Sequence, residues 1–154
     1  MEDLTQEFVA ESREGLERME LCLTELEQRH GDADLVGEIF RVVHTIKGTT
    51  GFLGYKRLEK LAHSGENLLG LLREGKLAAT AAVITVLLEL LDGLRFILRA
   101  IEANETEGGF TDCAEAALAN TISKLTSLGL WACNIAFLLH PIVDRVARRF
   151  YCHF

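Results

Sequence analysis

Four stretches of this 154-residue chain place apolar side chains three and four residues apart, with short polar breaks between them. That spacing is the strongest constraint on the fold, because positions i, i+3, i+4 and i+7 share one face of an α-helix. Strand-like alternation flanked by turn residues is missing, and the single proline is Pro141. A helix with one apolar stripe must bury it against a neighbour. Short connections then predict an all-α fold, an antiparallel up-and-down four-helix bundle with a fifth, C-terminal helix.

The first helix is expected over residues 3–29, with Leu4, Phe8, Leu16, Met19, Leu23 and Leu26 inward. Residues 30–34 (HGDAD) form a turn in which Asp32 or Asp34 can cap the next helix. That helix covers residues 35–50, with Val36, Ile39, Phe40, Val43 and Ile46 inward, and GFLGY (51–55) breaks it. The third helix runs over residues 56–74 on Leu58, Leu61, Leu68 and Leu72, and EGK (74–76) ends it. Thr80 caps a fourth, strongly apolar helix at about 81–103, built on Val83, Leu87, Leu90, Leu91, Leu94, Ile97, Leu98 and Ile101. After ETEGG (105–109), residues 111–127 suit the fifth helix through Leu118, Ile122 and Leu125.

A net charge of −7 argues against nucleic acid as the main partner. The charge is unevenly spread: residues 1–30 carry nine acidic and three basic side chains, whereas residues 38–76 carry seven basic and four acidic. Solvated helix faces give such a pattern, and so does a landing site for phosphate or an acidic partner. The cysteines at 22, 113, 133 and 152 form no CxxC pair, which argues against a zinc knuckle. The acidic start, MEDLTQEF, does not read as a signal peptide, and reduced thiols in the cytoplasm are the expectation. The longest apolar stretch, residues 128–139, is too short to span a membrane.

Polar residues converge on the second and third helices. With Ile39, Val43 and Ile46 inward, His44 faces solvent or the bundle edge, and Lys47, Gly48 and Gly51 follow on its face. Glycine costs about 1 kcal/mol relative to alanine in a helix interior. At position 48 it leaves the surface beside the imidazole open. His63 and Glu66 form a second polar pair along one edge of the third helix. In an antiparallel hairpin, His44 lies about as far before the turn as Glu66 lies after it, so the two can meet. A carboxylate bonded to one imidazole nitrogen fixes the tautomer and raises the basicity of the other, which suits a covalent group carrier. Lys47 would stabilise an arriving phosphoryl group. A surface histidine, a stabilising His–Glu pair and turn-starting glycines are the plainer reading of each part. Metal is disfavoured, since His44, His63 and Glu66 lack the paired Glu-x-x-His motifs of di-iron bundles.

Residues 40–69, FRVVHTIKGTTGFLGYKRLEKLAHSGENLL, resemble the histidine-containing phosphotransfer (HPt) domain of CheA-type chemotaxis histidine kinases. Residues 4–27 resemble the first helix of that domain, and the similarity covers roughly residues 1–105. The resemblance implies that His44 is phosphorylated, Glu66 holds its ring, Lys47 assists the phosphate and His63 completes the polar network. Gly48, with Gly51, Phe40 and Arg41, would form the docking surface. It further implies two partners: a separate histidine kinase catalytic domain that uses ATP, and a response-regulator receiver domain whose aspartate takes the phosphate. The chain has no P-loop or glycine-rich nucleotide box, so no cofactor of its own is expected. The expected organisation is a phosphotransfer domain over 1–127 and a tail of unassigned role over 128–154. The alternatives are a stand-alone phosphorelay protein and a non-catalytic helical adaptor.

Overall fold

The computed structural model describes residues 2–103 and 120–122. Four helices follow one another: α1 (Glu2–Leu26), α2 (Ala33–Leu53), α3 (Lys56–Arg73) and α4 (Ala81–Glu102). Each packs on the next, and α1 also packs on α4, which closes a four-membered ring. The direction alternates. Arg13 of α1 pairs with Glu102 of α4, and seven residues further on Glu20 pairs with Arg95, seven residues back, at 2.7 Å. The bundle is therefore antiparallel and up-and-down, as the periodicity predicts.

The core is built from the stripes. Phe8, Leu16, Met19, Leu23 and Leu26 of α1 are buried, as are all the inward positions named for α3 and α4. Each large side chain taken out of water contributes about 1.5–3 kcal/mol. Leu4 departs from its stripe and is 52% exposed, because it lies in the first turn of α1, where the apolar face begins to outrun the bundle. Phe40 is only partly buried, packed against the edge of the core. Of residues 111–127, only 120–122 lie among those described; they are helical, and Ile122 joins the core. The rest of that expected helix and the tail over 128–154 lie outside the described residues.

The helix ends follow local chemistry. Asp32, rather than Asp34, caps α2, accepting from the backbone N–H groups of Asp34 and Leu35. Thr80 caps α4 by accepting from Val83 N–H. Helix α1 stops three residues short of its expected end, and a turn carries the chain to Gly31 at φ 79°. Helix α2 runs past Gly51, where a break is expected. It ends at Gly54, whose φ of 83° suits glycine and whose N–H donates to Thr50 O at 2.9 Å. Glycine at 51 weakens the helix without terminating it; the left-handed residue does that. The turn is anchored to α1 by Tyr55, which stacks on Phe8 and hydrogen-bonds Thr5.

Gly65 lets α3 approach α4, since a Cβ there would collide with Leu90. Gly70, one turn on in the same helix, has open space where its Cβ would stand. Gly65→Ala should therefore lower stability by about 1–3 kcal/mol through overpacking. Gly70→Ala should raise it by about 0.4–1 kcal/mol through helix propensity and chain entropy. Urea denaturation of the two variants checks both signs.

Candidate functional site

The α2–α3 hairpin sets the site. Glu66 of α3 lies opposite His44 of α2, and seven residues nearer the turn Glu59 lies opposite Gly51. One carboxylate receives two donors from α2. His44 Nδ1 lies 2.5 Å from Glu66 Oε1, and Lys47 Nζ lies 2.5 Å from Glu66 Oε2. His44 and Lys47 are i, i+3 neighbours, so one helical face presents both nitrogens to one acceptor. The Glu66 side chain is 13% exposed, whereas that of His44 is 61% exposed. The carboxylate is thus sunk between the helices while the imidazole stands in solvent.

Burial alone would push the Glu66 carboxyl up. The hydrogen bonds and charges of Lys47 and His44 outweigh it and hold the group below its ordinary value. Glu66 is therefore a carboxylate at neutral pH, and His44 Nδ1–H donates to it. In the neutral ring this bond leaves the lone pair on Nε2. Perturbation by itself does not mark the site: Glu89 on α4 is pushed up to about 7, by burial and by Asp92, and its Oε1 has no hydrogen-bond partner among the described residues.

The other expected residues fall in distinct places. Gly48 is exposed, and a Cβ there would meet nothing within 4 Å, so the surface next to His44 is open. A Cβ at Gly51 would stand 3.5 Å from Glu59 Oε1, so that glycine faces α3. Lys47, expected to await a phosphoryl group, is already bound to Glu66. His63 is exposed and makes no hydrogen bond or ion pair with His44, Lys47 or Glu66 among the described residues. Arg41 is exposed and pairs with Glu38 at 2.7 Å. It also lines a groove of about 180 Å³ between α1 and α2, with Ser12, Gly15, Thr45 and Thr49. Among the described residues, no three His, Cys, Asp or Glu side chains are grouped to hold a metal. No described helix is long and apolar enough to cross a membrane.

Two residues escaped the sequence reading. Phe52, assigned to a turn, is 85% exposed in the last turn of α2. Its signal was the i+8 spacing from His44. Arg73 ends α3 with its guanidinium carbon 4.0 Å from the centroid of the Phe40 ring. Phe40 in turn stacks on His44, with centroids 5.8 Å apart and planes inclined by 14°. The same hairpin register that pairs His44 with Glu66 brings Arg73 toward Phe40.

The four-helix bundle thus presents an outward histidine braced by a carboxylate of the neighbouring helix. Residues 3–96 match the Hpt domain family, and the chain belongs to it. The chemotaxis protein CheA of Halobacterium salinarum is 36% identical over 103 residues, which is 67% of this chain and 15% of that protein. The sensor histidine kinase CheAY of Helicobacter pylori is 32% identical over 132 residues, 84% of this chain and 16% of that protein. The chain thus spans about one sixth of the length of these relatives. Among solved structures, the phosphorylated P1 domain of CheA3 in complex with CheY6 from R. sphaeroides superposes with a TM-score of 0.71 at 29% identity, covering 80% of this chain and 98% of that one. The histidine phosphotransfer domain of CheA gives 0.72 at 27% identity, covering 80% and 92%. The chain is an Hpt domain of the CheA type.

Because the folded Glu66 carboxyl lies below 4.5, its contribution to stability is present above that value and is lost as pH falls through the depressed one. Glu66→Gln should cost about 1 kcal/mol at pH 7, given the half-exposed partners. The gap to the parent chain should close as pH falls below 4.5. Denaturation curves at several pH values measure it.

Proposed function

We propose that this chain is the phosphotransfer module of a CheA-type two-component sensor kinase and that His44 carries the phosphoryl group. The observation that supports this most is the shared carboxylate, which binds Nδ1 of an exposed imidazole and leaves Nε2 free beside an open glycine surface. In this reading a separate histidine kinase catalytic domain binds ATP. The Nε2 lone pair attacks the γ-phosphorus, the bond to the β–γ bridging oxygen breaks, and ADP leaves. Glu66 keeps the Nδ1 proton in place and offsets the positive charge that grows on the ring. Lys47, one turn along, is within the family of donors that can meet the new dianion. An aspartate oxygen of a receiver domain then attacks phosphorus, and the N–P electron pair returns to Nε2.

The receiver is the partner in the solved complex of the related CheA3 domain with CheY6. For the present chain, the docking surface in this reading combines Gly48, Arg41 and Phe52 on α2 with the groove toward α1. Gly51, turned toward Glu59 of α3, and Phe40, packed at the core edge, are left out of that surface. His63 lies at its margin. The proposed setting is the cytoplasm, where ATP and receiver domains are available.

Incubation with a CheA-type catalytic domain and labelled ATP tests the site. His44→Gln should abolish uptake of acid-labile phosphate while leaving the helical circular dichroism spectrum intact; label retained on that variant would contradict the assignment. Gly48→Leu should melt near the parent temperature, because the position opens to solvent. Its transfer to a receiver should fall by on the order of 10²-fold, since about 1 Å of misplacement has that effect on in-line transfer. Normal transfer by Gly48→Leu would show that partners do not approach over this residue.

A further inference from the structure

The hydrogen bond from Nδ1 to Glu66 fixes one atom of the imidazole. A ring held by one hydrogen bond still pivots about it, and Nε2, on the far side of the ring, sweeps the widest arc. In-line attack on phosphorus needs that atom directed along one line. A second constraint on the ring plane is required, and the structure contains one. Phe40, one helical turn before His44, lies nearly parallel to the imidazole, at 14° and 5.8 Å between centroids. Phe40 is itself packed against the core at its edge. Its ring carries the guanidinium of Arg73 at 4.0 Å.

Arg73 stands out among the basic residues near the site. Arg41 pairs with Glu38, Lys47 with Glu66 and Lys56 with Glu59. Arg73 makes no hydrogen bond or ion pair among the described residues, although Glu74 adjoins it and Glu74 pairs with Lys76. The charge of Arg73 is felt by Glu74, but its guanidinium lies on an aromatic face and is hydrogen-bonded to no carboxylate among the described residues. Guanidinium is weakly hydrated and stacks on aromatic rings, which an ammonium does less well. The contact also crosses from α3 to α2, so it ties the ring stack to the helix that carries Glu66.

We infer that Arg73 and Phe40 are positioning residues for phosphoryl transfer: Arg73 holds the Phe40 ring, and the face of Phe40 sets the plane of the His44 imidazole and so the direction of Nε2. This rests on the reading of His44 as the phosphoryl carrier. Neither residue touches phosphorus; both act through the imidazole.

The test uses the full chain, with Arg73→Gln, Arg73→Lys and Phe40→Leu, a CheA-type catalytic domain and ATP. Arg73→Gln should lower kcat for phosphorylation by on the order of 10-fold with KM for the chain little changed. Arg73→Lys should recover part of the loss, since a cation remains over the ring. A rise in KM with kcat unchanged would mean that Arg73 serves docking and would overturn the inference. So would parent kcat in both arginine variants. In parallel, the proton signals of the His44 ring should move downfield in Phe40→Leu, as the ring current of the stacked phenyl is lost, and should broaden or shift in Arg73→Gln. Unchanged His44 signals in both variants would overturn it as well. The spectra need no phosphate, so they decide the positioning even if the parent chain takes no label on His44, a result that would instead remove the proposed function.

Discussion

One carboxylate organises the functional face of this protein. Glu66 is nearly buried, yet it stays charged because two donors from α2, the Lys47 ammonium and the His44 Nδ1–H, converge on its two oxygens. A buried carboxylate without such partners would be costly and would take up a proton, as the upward shift of Glu89 illustrates. The arrangement joins stability to chemistry. The interaction that lets Glu66 sit between the helices is the one that commits Nδ1 of His44 and frees Nε2. Lys47 matters to this whether or not it ever meets a phosphate, because it neutralises the oxygen that His44 does not use.

The bundle exists, from the point of view of the site, to hold that register. A one-residue slip of α3 against α2 would turn Glu66 by about 100° around its helix and away from His44. Several features resist slippage. Left-handed Gly54 fixes the length of the hairpin turn, Tyr55 ties the turn to α1, and Gly65 seats α3 closely against α4. Gly65 directly precedes Glu66, so the tight helix contact and the carboxylate point about 100° apart around one turn. The rigid side of α2 faces α3 and carries Phe40, His44 and Lys47. The side toward α1 carries Arg41, Thr45 and Thr49 around a groove. Chemistry is positioned on one flank and space is left on the other.

Much of this was legible in the sequence because it depends on period and register. Every inward position read for α3 and α4 is buried, although the stripes left out Leu69, Ile84 and Val86, and equal distances from the hairpin turn paired His44 with Glu66. The misreadings have a common origin. Glycine lowers helix propensity without specifying an end, so Gly51 looked like a terminus when only the left-handed Gly54 was one. Leu4 obeyed the period but lay beyond the packed part of its helix. His63 shared an edge with Glu66, yet spacing along one helix does not give reach to another. The Arg73–Phe40–His44 stack was hidden for a different reason: the flat sides of rings and guanidinium groups leave no periodic mark, and Phe40 read equally well as core.

The central claim is that Glu66 fixes the His44 tautomer so that Nε2 is the nucleophile. Free imidazole side chains favour the proton on Nε2, so the claim runs against the default. A long-range ¹H–¹⁵N correlation spectrum of the imidazole, recorded on the unphosphorylated chain at a pH where the ring is neutral, reports directly which nitrogen carries the proton. The account predicts a protonated Nδ1 and a bare Nε2 at His44, in contrast to the exposed His63 in the same spectrum. A His44 ring with its proton on Nε2 would contradict it.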